Sequence, residues 1–107
     1  MKIALAQLNF TIGAFDENVE KIIRAIRRAR QEKAALIIFS ELAVCGYPPH
    51  DLLEYKHFVD ECESRIRQIA AECHGIAAIV GGPSVNPNPM GKNLFNSAYF
   101  MSNGAVQ

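Results

Sequence analysis

Three short runs of apolar residues constrain what this chain can become. They are Ile3-Ala4-Leu5-Ala6-Gln7-Leu8-Asn9, Leu36-Ile37-Ile38-Phe39 and Ile76-Ala77-Ala78-Ile79-Val80-Gly81-Gly82. Each is nearly continuous in apolar character and bounded by polar or glycine residues, as expected of strands covered on both faces. Between them lie two stretches with helical periodicity. Gly13 and Asp16 mark a loop, and a helix is expected from Glu17 to Lys33 with Asp16 as its N-cap. Val19, Ile22, Ile23, Ile26 and Ala29 fall on one face of it, and Glu17–Lys21 and Glu20–Arg24 are i,i+4 pairs in the favourable order. A short helical turn is expected over Asp51–Tyr55, then a helix from His57 to His74 with Phe58, Val59, Cys62, Ile66, Ile69, Ala70 and Cys73 as its apolar stripe. Gly75 suits the position that ends it, with His74 beside the negative end of the helix dipole.

The remainder of the chain reads differently. Pro83 to Lys92 is rich in Pro, Asn and Gly and is expected to be a loop. Leu94 to Met101 reads as a fourth strand, antiparallel to the third. Asn103-Gly104 is a hairpin signal suited to a type I′ turn, and Ala105-Val106-Gln107 begins a second arm. The order is therefore β-α-β-α-β-β, an α/β chain with its first three strands parallel. A hairpin with one full arm and a short second one leaves an exposed edge. Residues 1–107 are accordingly expected to be the N-terminal portion of a larger domain, truncated after Gln107; a natural end with a short edge strand is the alternative.

Composition narrows the partners. The chain has 107 residues, half of them hydrophobic, and its 11 basic and 11 acidic residues cancel. That is one small domain with enough apolar material for a core. Zero net charge gives no electrostatic basis for binding nucleic acid or an anionic membrane. Arg24, Arg27, Arg28 and Arg30 lie mostly opposite the apolar stripe and read as a solvated face. No apolar run approaches the roughly 18 residues of a membrane span. No secretory leader is legible ahead of the first strand, so the cytoplasm is expected. The three cysteines, Cys45, Cys62 and Cys73, lack CxxC spacing and suit reduced thiols. Cys62 and Cys73 are eleven residues apart, about three helical turns, so both should face the core.

Several chemistries can be set aside. His50, His57 and His74 have no ligand-pair spacing, so no metal site is expected. Gly81-Gly82-Pro83 follows a strand without a phosphate-loop pattern or a helix after it. No G-x-S-x-G nucleophile elbow is present. Glu41 remains. It stands just past the second strand, ahead of a loop holding Gly46, Pro48 and Pro49. In parallel sheets this end gathers ligands and catalytic groups. Glu41 is either a solvated loop residue or a general base whose carboxyl is tuned by partial burial. Cys45 could approach it only through a helical turn over 41–45, and reads better as loop packing. Gln7 is either a strand-end hydrogen-bonding group or a support for a site at that edge. Asn96, on an otherwise apolar strand face, either satisfies a core hydrogen bond or helps position the Glu41 loop.

Phe39-Ser40-Glu41-Leu42-Ala43-Val44-Cys45-Gly46-Tyr47-Pro48-Pro49 resembles the first catalytic motif of the nitrilase (carbon–nitrogen hydrolase) superfamily. That motif is a strand, then Pro/Ser-Glu, then a small or apolar stretch and Gly-Tyr/Phe. Lys2 to Asn9 resembles the superfamily's first strand, and Gly13 with Asn18-Val19 its first-helix entry. Gly81-Gly82-Pro83 and Asn96-Ser97-Ala98 resemble its third and fourth strands. The continuation Tyr47-Pro48-Pro49-His50-Asp51-Leu52-Leu53 is similar to the glutaminase domains of glutamine-dependent NAD synthetases, with His50 where an acidic residue is usual.

The resemblance implies a four-layer α-β-β-α sandwich, here in part, and a homo-oligomer joined through a helical face. It implies hydrolysis of a small-molecule amide, glutamine, by a Glu-Lys-Cys thioester mechanism with Glu41 as general base. Tyr47 would line the pocket. The family's Lys and Cys lie further along its chain, and Lys92, Cys45, Cys62 and Cys73 do not occupy their positions, so these 107 residues alone are expected to be inactive. They would need no cofactor; ATP and Mg would belong to a synthetase domain that takes the ammonia. The alternatives are a stand-alone amidase of the same superfamily, or a non-catalytic α/β module in which Glu41 merely caps its loop.

Overall fold

In the computed structural model, residues 1–11, 13–40, 43–44, 56–85 and 94–107 are described. Their elements are β1 (Ile3–Leu5), α1 (Phe15–Gln31), β2 (Leu36–Ile38), α2 (Lys56–Ala70), β3 (Ala77–Val85), β4 (Leu94–Ser102) and β5 (Ala105–Val106). They form one sheet in the order β1-β2-β3-β4-β5. β1, β2 and β3 run parallel, with Ile3, Leu36 and Ala77 in register. β4 is antiparallel to β3, and β5 to β4. The expected β-α-β-α-β-β order and strand directions are thus present, and the second hairpin arm pairs as a short fifth strand at the sheet edge.

Both helices cover the same sheet face. Phe15 of α1 meets Phe58 of α2 with ring centroids 5.1 Å apart. Arg65 of α2 pairs with Asp16 at 2.5 Å, and Arg27 of α1 with Glu72 at 2.9 Å. Beneath them lies one core. Ile22 and Ile26 from α1 and Cys62, Ile66 and Ile69 from α2 meet Ile37, Ala78, Val80 and Met101 from the sheet. Cys62 on α2 and Cys73 just beyond it are both fully buried, as their spacing predicts. Among the described residues the opposite sheet face carries no helix. There Leu5 is 72% exposed, Ile3 51% and Phe100 45%. The expectation of cover on both faces of β1 is therefore met on one face only among the described residues.

The helix ends depart from the sequence reading in instructive ways. Helix α1 starts two residues earlier than expected, with Ala14 rather than Asp16 as N-cap and no side-chain cap bond. Tertiary packing of Phe15 on Phe58 draws that residue into the first turn, and Asp16 pairs with Arg65 instead. At the other end, Lys33 has φ of +63°. Its N–H donates to Arg30 O at 3.0 Å, and Ala34 N–H to Ala29 O at 2.9 Å, the paired bonds of a Schellman close. A left-handed conformation costs a β-carbon-bearing residue roughly 1–2 kcal/mol, partly offset in glycine by its larger unfolded-state entropy. Lys33→Gly should therefore raise stability by about 0.5–1 kcal/mol, read as a higher urea midpoint at unchanged slope.

Helix α2 ends at Ala70, not His74. Its exit is held from α1: Arg30 Nη1 donates to the carbonyls of Glu72 at 2.8 Å and His74 at 3.1 Å. Gly75 does adopt positive φ, +75°, but as part of the turn into β3. The Asn103-Gly104 turn forms as predicted, with Ser102 and Ala105 paired across it. Gly104 is needed for two reasons. Its φ is +81°, and a β-carbon there would lie 2.8 Å from the His74 ring.

Pro83 and Ser84 are strand residues, where the sequence suggested a loop. β3 outruns β2, whose pairing stops at Ile79, so Pro83 needs no N–H for a β2 partner. Tyr99 on β4 donates its hydroxyl to Pro83 O at 2.9 Å. Burial is the main cause pushing the Tyr99 phenol and the Cys73 thiol up from their ordinary values. The folded chain thus holds both protons more tightly than the unfolded chain does. Their contribution is fully present below the unfolded values, about 8.5 for Cys and 10 for Tyr, and is lost as pH rises through the folded values. Urea midpoints should fall above about pH 9, and Tyr99→Phe should flatten the upper part of that decline.

Candidate active site

The parallel strands β1, β2 and β3 end at one edge of the sheet, where function is expected in such folds. Two connections meet there. The first leads from β1 to α1. Ala6 N–H extends the β1–β2 ladder by donating to Ile38 O at 2.9 Å, and Lys21 Nζ of α1 reaches back to Asn9 O at 2.7 Å. Gln7 is exposed.

The second connection leaves β2. Phe39 is buried, and its N–H donates to Ile79 O of β3 at 3.0 Å. Ser40 is exposed. Ala43 and Val44 form a turn and are both fully buried. Val44 N–H faces Gly81 O at 3.4 Å, a long bond. Its side chain rests against Gly82, where an added β-carbon would stand 3.1 Å from Val44 Cγ1. The connection is thus fastened to β3 at Phe39 and again at Val44, and Glu41 falls between these anchors in the sequence.

Asn18 ties the two connections together. It is the buried polar residue of α1, with no exposed surface. Its Oδ1 accepts from Thr11 N–H at 3.0 Å, and its Nδ2 donates to Thr11 O at 2.8 Å and to Val44 O at 3.3 Å. The amide is placed by α1, on the same stripe as Ile22, Ile26 and Ala29. The sequence reading quoted Asn18 only as part of a family motif. Its physical signal was an amide four residues before Ile22, in phase with the core-facing stripe.

Glu41 and Tyr47, the residues singled out for catalysis and substrate contact, lie outside the described residues, as do Cys45, His50, Lys92, the expected turn at Asp51–Tyr55 and the side chain of Asn96. Cys62 and Cys73 sit in the helix–sheet core rather than at this edge. Among the described residues no three His, Cys, Asp or Glu side chains gather as a metal site. The arginines of α1 are engaged locally: Arg24 with Glu20, Arg27 with Glu72, Arg28 with Glu32 and Arg30 with the exit of α2. No helix among the described residues is long and apolar enough to cross a membrane.

The carbon–nitrogen hydrolase family model matches residues 2–106. This chain belongs to the carbon–nitrogen hydrolase family. It is 42% identical over 108 residues to the glutamine-dependent NAD(+) synthetase of Xylella fastidiosa, an alignment covering 100% of this chain and 19% of that protein. Its fold matches the crystal structure of a glutamine-dependent NAD(+) synthetase from Cytophaga hutchinsonii with a TM-score of 0.90 at 26% identity, over 98% of this chain and 17% of that one. It also matches a glutamate-to-glutamine mutant of the amidase from Nesterenkonia sp. AN1, in which acrylamide has added to the active-site cysteine. There the TM-score is 0.77 at 29% identity, over 99% of this chain and 41% of that one. The chain thus spans about a fifth of the curated relatives it matches.

Proposed function

We propose that this chain supplies the first part of a glutaminase site that releases ammonia for NAD synthesis. The observation that carries the reading is the 42% identity to a glutamine-dependent NAD(+) synthetase across the whole chain. The Gly46-Tyr47-Pro48-Pro49 stretch after Glu41 points the same way. In this reading Glu41 is the general base. It takes the proton of a cysteine thiol, and the thiolate attacks the amide carbon of glutamine. A lysine stabilises the oxyanion of the tetrahedral intermediate. Ammonia departs with a proton, leaving a thioester. Water, deprotonated by Glu41, then releases glutamate and restores the thiol.

The lysine and cysteine come from other residues of the full-length enzyme in this proposal. Cys62 and Cys73 are unsuited to the second role, being fully buried packing groups. Tyr47 would line the glutamine pocket. The enzyme would work in the cytoplasm as a homo-oligomer. ATP and Mg would be held elsewhere in it, by a synthetase domain; Gly81 and Gly82, buried within β3 and paired to β4, offer phosphate no helix N-terminus. The test is the Glu41→Gln variant of the full-length enzyme, assayed with glutamine and with free ammonia.

A second reading rests on the Nesterenkonia amidase, which this chain matches over 99% of its length. There the same site would hydrolyse another small amide, with no synthetase to receive the ammonia. Glutamine-driven NAD formation by the full-length enzyme favours the first reading; amidase turnover without it favours the second.

A further inference from the structure

We propose that Asn18 is a positioning residue for Glu41, acting through Val44. The inference rests on the general-base reading of Glu41 given above. Asn18 has no exposed surface, and its amide is engaged on both ends, to Thr11 N–H and O and to Val44 O. One side chain on a rigid helix thereby fixes both connections that meet at the C-terminal edge of the sheet. Val44 is the receiving end. It is fully buried, donates toward Gly81 O, and fits against Gly82 where a β-carbon would press at 3.1 Å. Val44 is three residues after Glu41, and Phe39, fastened to Ile79 O, is two residues before it.

Only four residues, 40–43, separate these anchors in the sequence, and Glu41 is one of them. A general base must lie within hydrogen-bond reach of the proton it takes, and a displacement of about 1 Å can cost on the order of 100-fold in rate. A purely structural buried amide would need partners too, but it would not have to hold the carbonyl of the base-bearing segment. The seat at Gly82 holds Val44 separately, through its side chain rather than its carbonyl.

The test uses the full-length enzyme that carries this segment, measured well below its unfolding temperature. Asn18→Asp keeps the size and the acceptor to Thr11 N–H but can donate to neither Thr11 O nor Val44 O. Gly82→Ala keeps the Asn18 amide itself and presses instead on the Val44 side chain, with Ile66 and Tyr99 next nearest, so it serves if Asn18→Asp fails to fold. Both variants should lose glutamine-dependent kcat, about 10- to 100-fold for Asn18→Asp and less for Gly82→Ala, with KM for glutamine within about threefold. Ammonia-driven synthesis should stay within about twofold of the parent. Equal loss of both activities, or loss of neither, overturns the proposal. The Glu41→Gln control separates the two levels: if it is inactive with glutamine while folded Asn18→Asp and Gly82→Ala are unimpaired, positioning alone is wrong. If Glu41→Gln still turns over glutamine, the base reading fails and this inference falls with it.

Discussion

Glutamine-dependent synthesis by the full-length Glu41→Gln enzyme should fall about 10²- to 10⁴-fold, while synthesis from free ammonia stays near the parent value. The substitution keeps the size of the side chain and a hydrogen-bonding oxygen, and removes its capacity to accept a proton. The thiol it serves would then rely on its own ionisation, which leaves only a few per cent thiolate at neutral pH. The expected loss corresponds to about 3–5 kcal/mol of barrier. It should fall on kcat more than on KM, since the amide substitution need not change ground-state binding of glutamine. Free ammonia bypasses the step. Loss of both activities would mean that Glu41 acts on folding or on the synthetase instead, and loss of neither would leave it a solvated loop residue.

The strands were legible because apolar runs, turn glycines and proline punctuate this chain at intervals that suit only alternating strands and helices. The same rules placed Cys62 and Cys73 in the core and Asn103-Gly104 in a two-residue turn. The misreadings fall where tertiary contacts outrank local preference. Asp16 is a good N-cap residue by type, yet the aromatic pair Phe15–Phe58 starts α1 earlier and hands Asp16 to Arg65. His74 looked like a helix terminus, but Arg30 takes the carbonyls at the α2 exit after the helix has already ended at Ala70. Pro83 signalled a loop because sequence cannot show that β2 stops before reaching it. At the site, Glu41 was legible as a carboxylate following an apolar strand. The bonding of Asn18 was not, because an amide on an apolar stripe does not reveal which distant carbonyl it will meet.

Leu5→Asp separates what these residues need from what the whole family fold would need. On the sheet face opposite the helices, Ile3, Leu36 and Ala77 stand in register, as do Leu5, Ile38 and Ile79, with Phe100 beside Ile79. A face this apolar, with Leu5 72% exposed, is what one half of a sheet-on-sheet sandwich presents before its partner sheet is added. In the 107-residue chain by itself, an aspartate at position 5 would meet water. Its cost should be about 1 kcal/mol or less, the span of strand preferences. In the full-length enzyme the α-β-β-α arrangement would close a second sheet over this face and bury the carboxylate. The cost should then rise to about 3–5 kcal/mol, seen as a large drop in unfolding midpoint or a loss of folded protein. Similar small costs in both settings would show that Leu5 stays in contact with solvent in the larger protein, and would remove the sandwich from the proposed architecture. The face that looks idle in this chain is therefore where its dependence on further residues can be measured, at the sheet surface opposite the helices that hold Asn18.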